Sequence, residues 1–398
     1  MTRPSPGVAQ NGSADSQGFS LVRNDLLFRL QRRIGLIPAV GLGVVRRAVF
    51  YSMLCWLPLV IWAWWAGRMM PGGPDEPLLG HFGVHVRCLI AIPLMIIGEA
   101  LAQQLVPLCF TQFIRTGTVD EALIPRFREV IETGTRLRDR AYPWVVIGGL
   151  VVAWTATVLV SPNPDEIAWA GDPTVRTFGA WWLLLVVRPL FTVLLLAWIW
   201  RLLLAAVVLG RVARLPLRLV PTHPDHVGGL GFLARLPAVF APFTLAVSSV
   251  VAASWAHQVA YHDTLVPSLY IQMAVLAVVL MVLVAMPLLC FTPMLLRTKR
   301  IAMLDYGVLL SEHGRKVQRR WLAGDSGLDD DPMLNAPELG ATADTQTIYE
   351  SITKIRPVIV NKGVVLAIAV PAALPMLLLV AGQYPLKATL LKLLTVLL

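Results

Sequence analysis

Val86–Phe113 reads VRCLIAIPLMIIGEALAQQLVPLCFTQF, and after Arg87 its one ionisable carboxylate or cation is Glu99. A bilayer span needs roughly 20 apolar residues, and a run of this length is read as a helix crossing the membrane. A charge at the centre of such a helix costs on the order of 2–3 kcal/mol by insertion scales. Residues of that kind face a partner or a hydrated path, so Glu99 heads the list of candidate functional residues.

The same pattern recurs along the chain. Apolar runs extend over about Ala48–Ala66, Cys88–Phe113, Tyr142–Val160, Phe178–Leu209, Val239–Ala260, Ser268–Leu296 and Val358–Val380. Composition agrees: the 398 residues are 56% hydrophobic and 15% charged, whereas soluble domains carry about 25% charged residues. Only helices and closed barrels satisfy every backbone group in lipid. Continuous runs exclude the alternation of a barrel strand. The fold class is therefore all-α, a polytopic helical membrane protein of about seven transmembrane helices.

Orientation follows from arginine and lysine. One side collects Arg46 and Arg47, Arg126 and Arg128, Arg211 and Arg214, the RTKR of Arg297–Arg300 and the RKVQRR of Arg315–Arg320. The other holds Arg68, Arg87, Arg176, Lys387 and Lys392. This asymmetry predicts a cytoplasmic N-terminus and an outer C-terminus in a bacterial cytoplasmic membrane. It also accounts for the net charge of +10 without nucleic acid, since basic residues at the inner leaflet meet anionic lipid. The expected partners are thus the bilayer and its anionic inner-leaflet lipids, with a homo-oligomer left open.

Domain organisation is read as follows. Residues 1–20 form a polar N-terminus expected to be disordered. Residues 21–47 form a basic amphipathic surface segment in which Leu27, Leu30 and Ile34 share a face. Residues 48–296 form a six-helix bundle containing a cytoplasmic loop at 210–238. Residues 297–357 comprise a helix and an acidic linker with Asp329, Asp330 and Asp331 in succession. The seventh span covers 358–380, and 381–398 form a short amphipathic tail. No leader pattern precedes the first span, and Thr2 excludes myristoylation there. The cysteines Cys55, Cys88, Cys109 and Cys290 follow neither a disulfide nor a zinc spacing. No motif recurs between the halves, so the inverted repeats of many transporters are not expected.

Three groups of residues carry possible chemistry. The second and fourth runs both pass inward from the arginine-poor side, and Arg188 in the fourth lies roughly 9–15 Å deep against roughly 18 Å for Glu99 at 1.5 Å per residue. The reading is a Glu99–Arg188 pair, supported by Gln103 and Thr192 one helical turn below each. Arg201, beside Trp198 and Trp200, is expected to snorkel to the interface. The second group is the loop LPLRLVPTHPDHVGGLGFLARLP at Leu215–Pro237. There His223, Asp225 and His226 are candidate metal ligands, and the amides of Gly228, Gly229 and Gly231 a candidate anion nest. The third is a set of outer histidines, His81 and His85 before the second span and His257 and His262 at the end of the fifth. Such a set suits a divalent metal or an axial haem pair, or a pH sensor. No cofactor is specified by any motif.

The string PTHPDHVGGLGFL, with spans on either side, resembles a family of bacterial polytopic membrane proteins to which no activity is attached. The resemblance implies a bacterial origin and the multi-span fold, and no chemistry. Function divides among a transporter or channel for a small ion or solute, a metal- or haem-dependent membrane enzyme, and a scaffold or assembly subunit. The intramembrane charges and proline-kinked spans favour the first, and no nucleophile elbow, HExxH or phosphate loop supports the second.

Overall fold

A computed structural model describes residues 19–22, 26–33, 35–36, 43–70, 76–161, 164–170, 177–321 and 338–382. Most of the polar N-terminus, the aspartate run and the C-terminal tail lie outside these residues. Helices in chain order are α1 (Leu26–Arg33), α2 (Val44–Trp65), α3 (Phe82–Val86), α4 (Ile92–Arg115), α5 (Ile124–Asp139), α6 (Tyr142–Val160) and α7 (Pro164–Ile167). They continue with α8 (Phe178–Trp182), α9 (Arg188–Val212), α10 (Ala241–Tyr261), α11 (Val266–Leu289), α12 (Thr292–Trp321), α13 (Glu338–Thr353) and α14 (Lys362–Ala381). No strand occurs among the described residues.

Seven helices are long and apolar enough to cross a membrane. They are α2, the composite Phe82–Arg115, α6 with its approach from Glu121, the composite Phe178–Val212, α10 with its lead-in from Gly231, α11 and α14. Proline stands at the first turn of α6 and α11, where its missing N–H is no loss. The fifth span is the hub, with α10 packing on α3, α4 and α14. Around it, α2 packs on α4, and α9 packs on α5, α6 and α11. Trp64, Val152 and Ile271 project outward, as the lipid face of such a bundle requires.

The second and fourth spans share a construction that overturns the expectation of no recurring motif. Phe82-Gly83 stands before Pro93-Leu94 at the same spacing as Phe178-Gly179 before Pro189-Leu190. Between them lie two π-helical turns, Arg87–Ala91 and Leu183–Val187. The residue before each proline, Ile92 or Arg188, donates its N–H five positions back, to Arg87 or Leu183. A proline ring clashes with the carbonyl four residues earlier, here Leu89 or Leu185. Widening the turn by one residue is a regular way of accommodating that clash.

At the arginine-rich end, α13 begins inside the stretch read as linker. Ile352 of this helix and Ile355 just beyond it pack onto Ala302 of α12 as a small separate core. Lys299 Nζ donates to the carbonyls of Thr353 and Ile355 at 2.7 and 2.8 Å, placing a cation at the negative end of the helix. The sixth run likewise breaks earlier than its hydropathy suggests, at Cys290–Phe291 between α11 and α12.

Candidate functional site

Glu99 is 1% exposed and does not meet Arg188. Its two oxygens accept from Arg47 Nη2 at 2.5 Å and Arg201 Nη2 at 2.8 Å. Both arginines are buried, at 0% and 2% exposure. The first span, α2, starts at Val44 rather than Ala48, which carries Arg47 into the bundle. Arg201 packs its guanidinium 5.2 Å from the Trp198 ring instead of reaching the interface. Trp198 is itself anchored, donating from Nε1 to the Met95 carbonyl at 3.0 Å. Its ring fills the space left by Gly98 against Pro242 and stacks on Phe243. The helices of the second, fourth and fifth spans are therefore sealed together beside the Glu99 cluster. Gln103, half-buried one turn further along α4, has a buried amide nitrogen without a hydrogen bond, and Thr192 turns back onto the Arg188 carbonyl at 2.8 Å.

Arg188 works nearer the arginine-poor end. Its Nε donates to Glu166 Oε1 at 3.1 Å and its Nη2 to Oε2, a bidentate fork. Arg87 Nη1 donates to the same Oε1 at 2.9 Å, its guanidinium lying 5.6 Å from the Phe191 ring. The two arginines are set at the two π-turns. Glu166 is held by its neighbour Trp169, whose ring is buried against Trp62 and whose Nε1 donates to the Glu166 carbonyl at 3.2 Å. Gly179 admits both indoles, since a methyl there would collide with Trp62 and Trp169.

These charges line a cavity of about 360 Å³ between the second, fourth and fifth spans, together with His81, Ser254, His257 and Gln258. Two guanidiniums facing one carboxylate leave a surplus positive charge in its wall. Trp198 is not among the described residues that line it.

The four outer histidines separate into different roles. His85 Nδ1 accepts from Trp56 Nε1 at 2.9 Å and its Nε2 meets the Leu78 carbonyl at 3.0 Å, so both nitrogens are engaged in structure. His262 stacks edge-on at 5.6 Å from His257. His81 and His257 come together, ring centroids 4.6 Å apart, and both approach a residue missed in the sequence. Glu76 Oε2 lies 2.9 Å from His81 Nε2 and 3.4 Å from His257 Nε2. Burial, with His257 and His85 alongside, pushes His81 down to about 3.

The loop at 210–238 forms a nest, and the anion inside it is its own. Asp225 accepts from the amides of Val227 and Gly229 at 2.9 and 3.1 Å and of Gly231 at 2.8 Å, with His223 Nδ1 2.9 Å away. Burial opposes ionisation of Asp225, but these donors outweigh it and hold the carboxyl below its usual range. His226 sits at φ 56° and its carbonyl accepts from the Arg356 amide at 2.8 Å, which docks the loop to the approach of the last span. His223, Asp225, His226 and the glycines are thus brought together as a folded turn.

Arg47, Glu76, Arg87 and Glu166 escaped the sequence reading. The repeated Phe-Gly and Pro-Leu spacing was the one signal that could have directed attention to Arg87 and Arg188. No family model, curated protein or solved structure matches this chain.

Proposed function

We propose that this protein transports a small anionic solute, which enters the Arg87–Arg188 cavity from the arginine-poor side. The reading is carried by one observation: two guanidiniums and a single carboxylate, Glu166, line a cavity of about 360 Å³. A surplus cation in a partly desolvated wall attracts an anion far more strongly than it would in water. Arg is suited to the role because its planar fork binds carboxylate, sulfate or phosphate oxygens in pairs.

Closure below the cavity supports the same reading. The spans that form it meet again at Gly98, Trp198 and Phe243, a seam of the kind that closes one side of a carrier in one of its two states. The π-turns at the cavity wall are sites where a helix can change register, a feature often found at functional positions. The arginine asymmetry supports a cavity mouth on the outer side of a bacterial cytoplasmic membrane, with the basic end against anionic lipid.

Charge displacement in proteoliposomes tests the proposal, with sulfate, inorganic phosphate and acetate as probes. A concentration jump of at least one probe is expected to give a saturable current, reduced roughly tenfold or more in Arg188→Gln. Currents equal to those of empty liposomes for all three, or undiminished in folded Arg188→Gln, would overturn it.

A further inference from the structure

The geometry points to a divalent-metal site formed by Glu76, His81 and His257, the two histidines standing in the wall of the outer cavity. Their ligand atoms lie within 4.8 Å of one another. The oxygen-to-nitrogen separations of 2.9 and 3.4 Å match the edges of a coordination polyhedron whose bonds are roughly 2.0–2.2 Å long. None of the three atoms makes a hydrogen bond, although His81 and His257 are 4% and 8% exposed. Buried imidazole nitrogens are ordinarily bonded, and an unsatisfied one costs roughly 1–3 kcal/mol. Three ligand atoms of this chemistry gathered within 4.8 Å make a site for a cation.

The donor set selects the ion. Two imidazoles and one carboxylate suit zinc and neighbouring first-row divalent metals rather than calcium or magnesium, which take oxygen ligands. Three protein ligands leave one position open. Because His81 and His257 also line the cavity, that position faces the space in which Arg87 and Arg188 stand, and water or a small anion completes the shell. The loop between the first and second spans supplies Glu76 and His81, and the fifth span supplies His257. The ion therefore ties that loop to the central helix. Gly80 is part of the design, because a side chain there would strike the Tyr261 hydroxyl beside His257.

This inference stands apart from transport, because metal binding is measured on the protein at rest. Full-length protein in detergent, stripped with chelator and desalted, is loaded with Zn²⁺ and, separately, Co²⁺. Bound metal is measured by mass spectrometry, and the visible spectrum of the Co²⁺ form is recorded. About one equivalent per chain is expected, with visible bands of a four- or five-coordinate cobalt centre containing nitrogen ligands. Glu76→Gln and His257→Gln are each expected to weaken binding roughly tenfold or more, while His262→Gln leaves it unchanged. Gel filtration identifies the variants that remain folded. Less than a tenth of an equivalent in the parent protein, or full binding in a folded Glu76→Gln/His257→Gln double variant, overturns the assignment.

Discussion

Arg201 Nη2 lies 2.8 Å from Glu99 Oε1 across the seam between the fourth and second spans, and Arg47 takes the other oxygen. One buried anion thus answers two buried cations. Removing the anion takes the shared acceptor from both guanidiniums at once, whereas removing either cation breaks one of the two bonds. Glu99→Gln is therefore expected to cost more stability in detergent than Arg47→Gln or Arg201→Gln, about 3–5 kcal/mol. Thermal unfolding of the three variants checks the ranking, and equal or reversed losses would contradict it.

Glu166 occupies the position that an incoming anion needs. Replacing it with Gln withdraws the internal competitor and keeps the side-chain volume. Sulfate is expected to stabilise Glu166→Gln at several-fold lower concentration than it stabilises the parent, even though the unliganded variant melts lower. A thermal-shift titration reads both effects at once.

Gly98 is required by contact. A Cβ there would lie 2.7 Å from the Trp198 ring and 3.4 Å from Pro242, so Gly98→Ala should cost about 1–3 kcal/mol. Gly148 and Gly149 in the third span meet nothing within 4 Å, and alanine at either is expected to be neutral or slightly stabilising. Melting temperatures of the three single variants provide the comparison.

Asp225 makes the 210–238 loop sensitive to acid. Its carboxyl is depressed in the folded loop, so the stability it contributes is complete above the ordinary aspartate value near 3.8. That stability is lost as pH falls through the lower folded value. Amide exchange at Val227, Gly229 and Gly231 is expected to stay slow down to about pH 4 and to accelerate, relative to the intrinsic rate, below it. Asp225→Asn is expected to exchange fast at every pH. Exchange mass spectrometry over a pH series tests both statements.

Much of this fold was written in the hydropathy of the chain, because a bilayer demands long apolar helices. The burial of Glu99 was equally legible. Its partners were not, since counting residues from a helix end gives depth but not the face a side chain presents. Arg188 had a suitable depth and turned toward Glu166. Arg201 was taken for an interface residue because indoles flank it, yet Trp198 is a core ring stacked on Phe243. Arg47 fell outside the apolar run that marked the first span. His81 and His257 could be named as possible ligands, but the third donor could not. Glu76 is one carboxylate among several in polar loops, and only the packing of the first outer loop against the fifth span brings it to them. In the 210–238 loop the glycines did read as a nest, while the identity of its occupant depended on a turn within the loop itself.

The claim at the centre of this account is that the Arg87–Arg188 cavity is wet, open on the arginine-poor side and able to hold an anion. Ser254 lines it and is exposed, whereas Ser248, lower on the same helix, is buried and bonded to the Ala372 carbonyl. With the four native cysteines replaced, Ser254→Cys and Ser248→Cys are treated in sealed vesicles with a membrane-impermeant maleimide. The account predicts rapid labelling at position 254 from the arginine-poor side, slowing of that labelling by sulfate, phosphate or acetate, and no labelling at 248. Absence of labelling at 254, or labelling indifferent to all three anions, would contradict it.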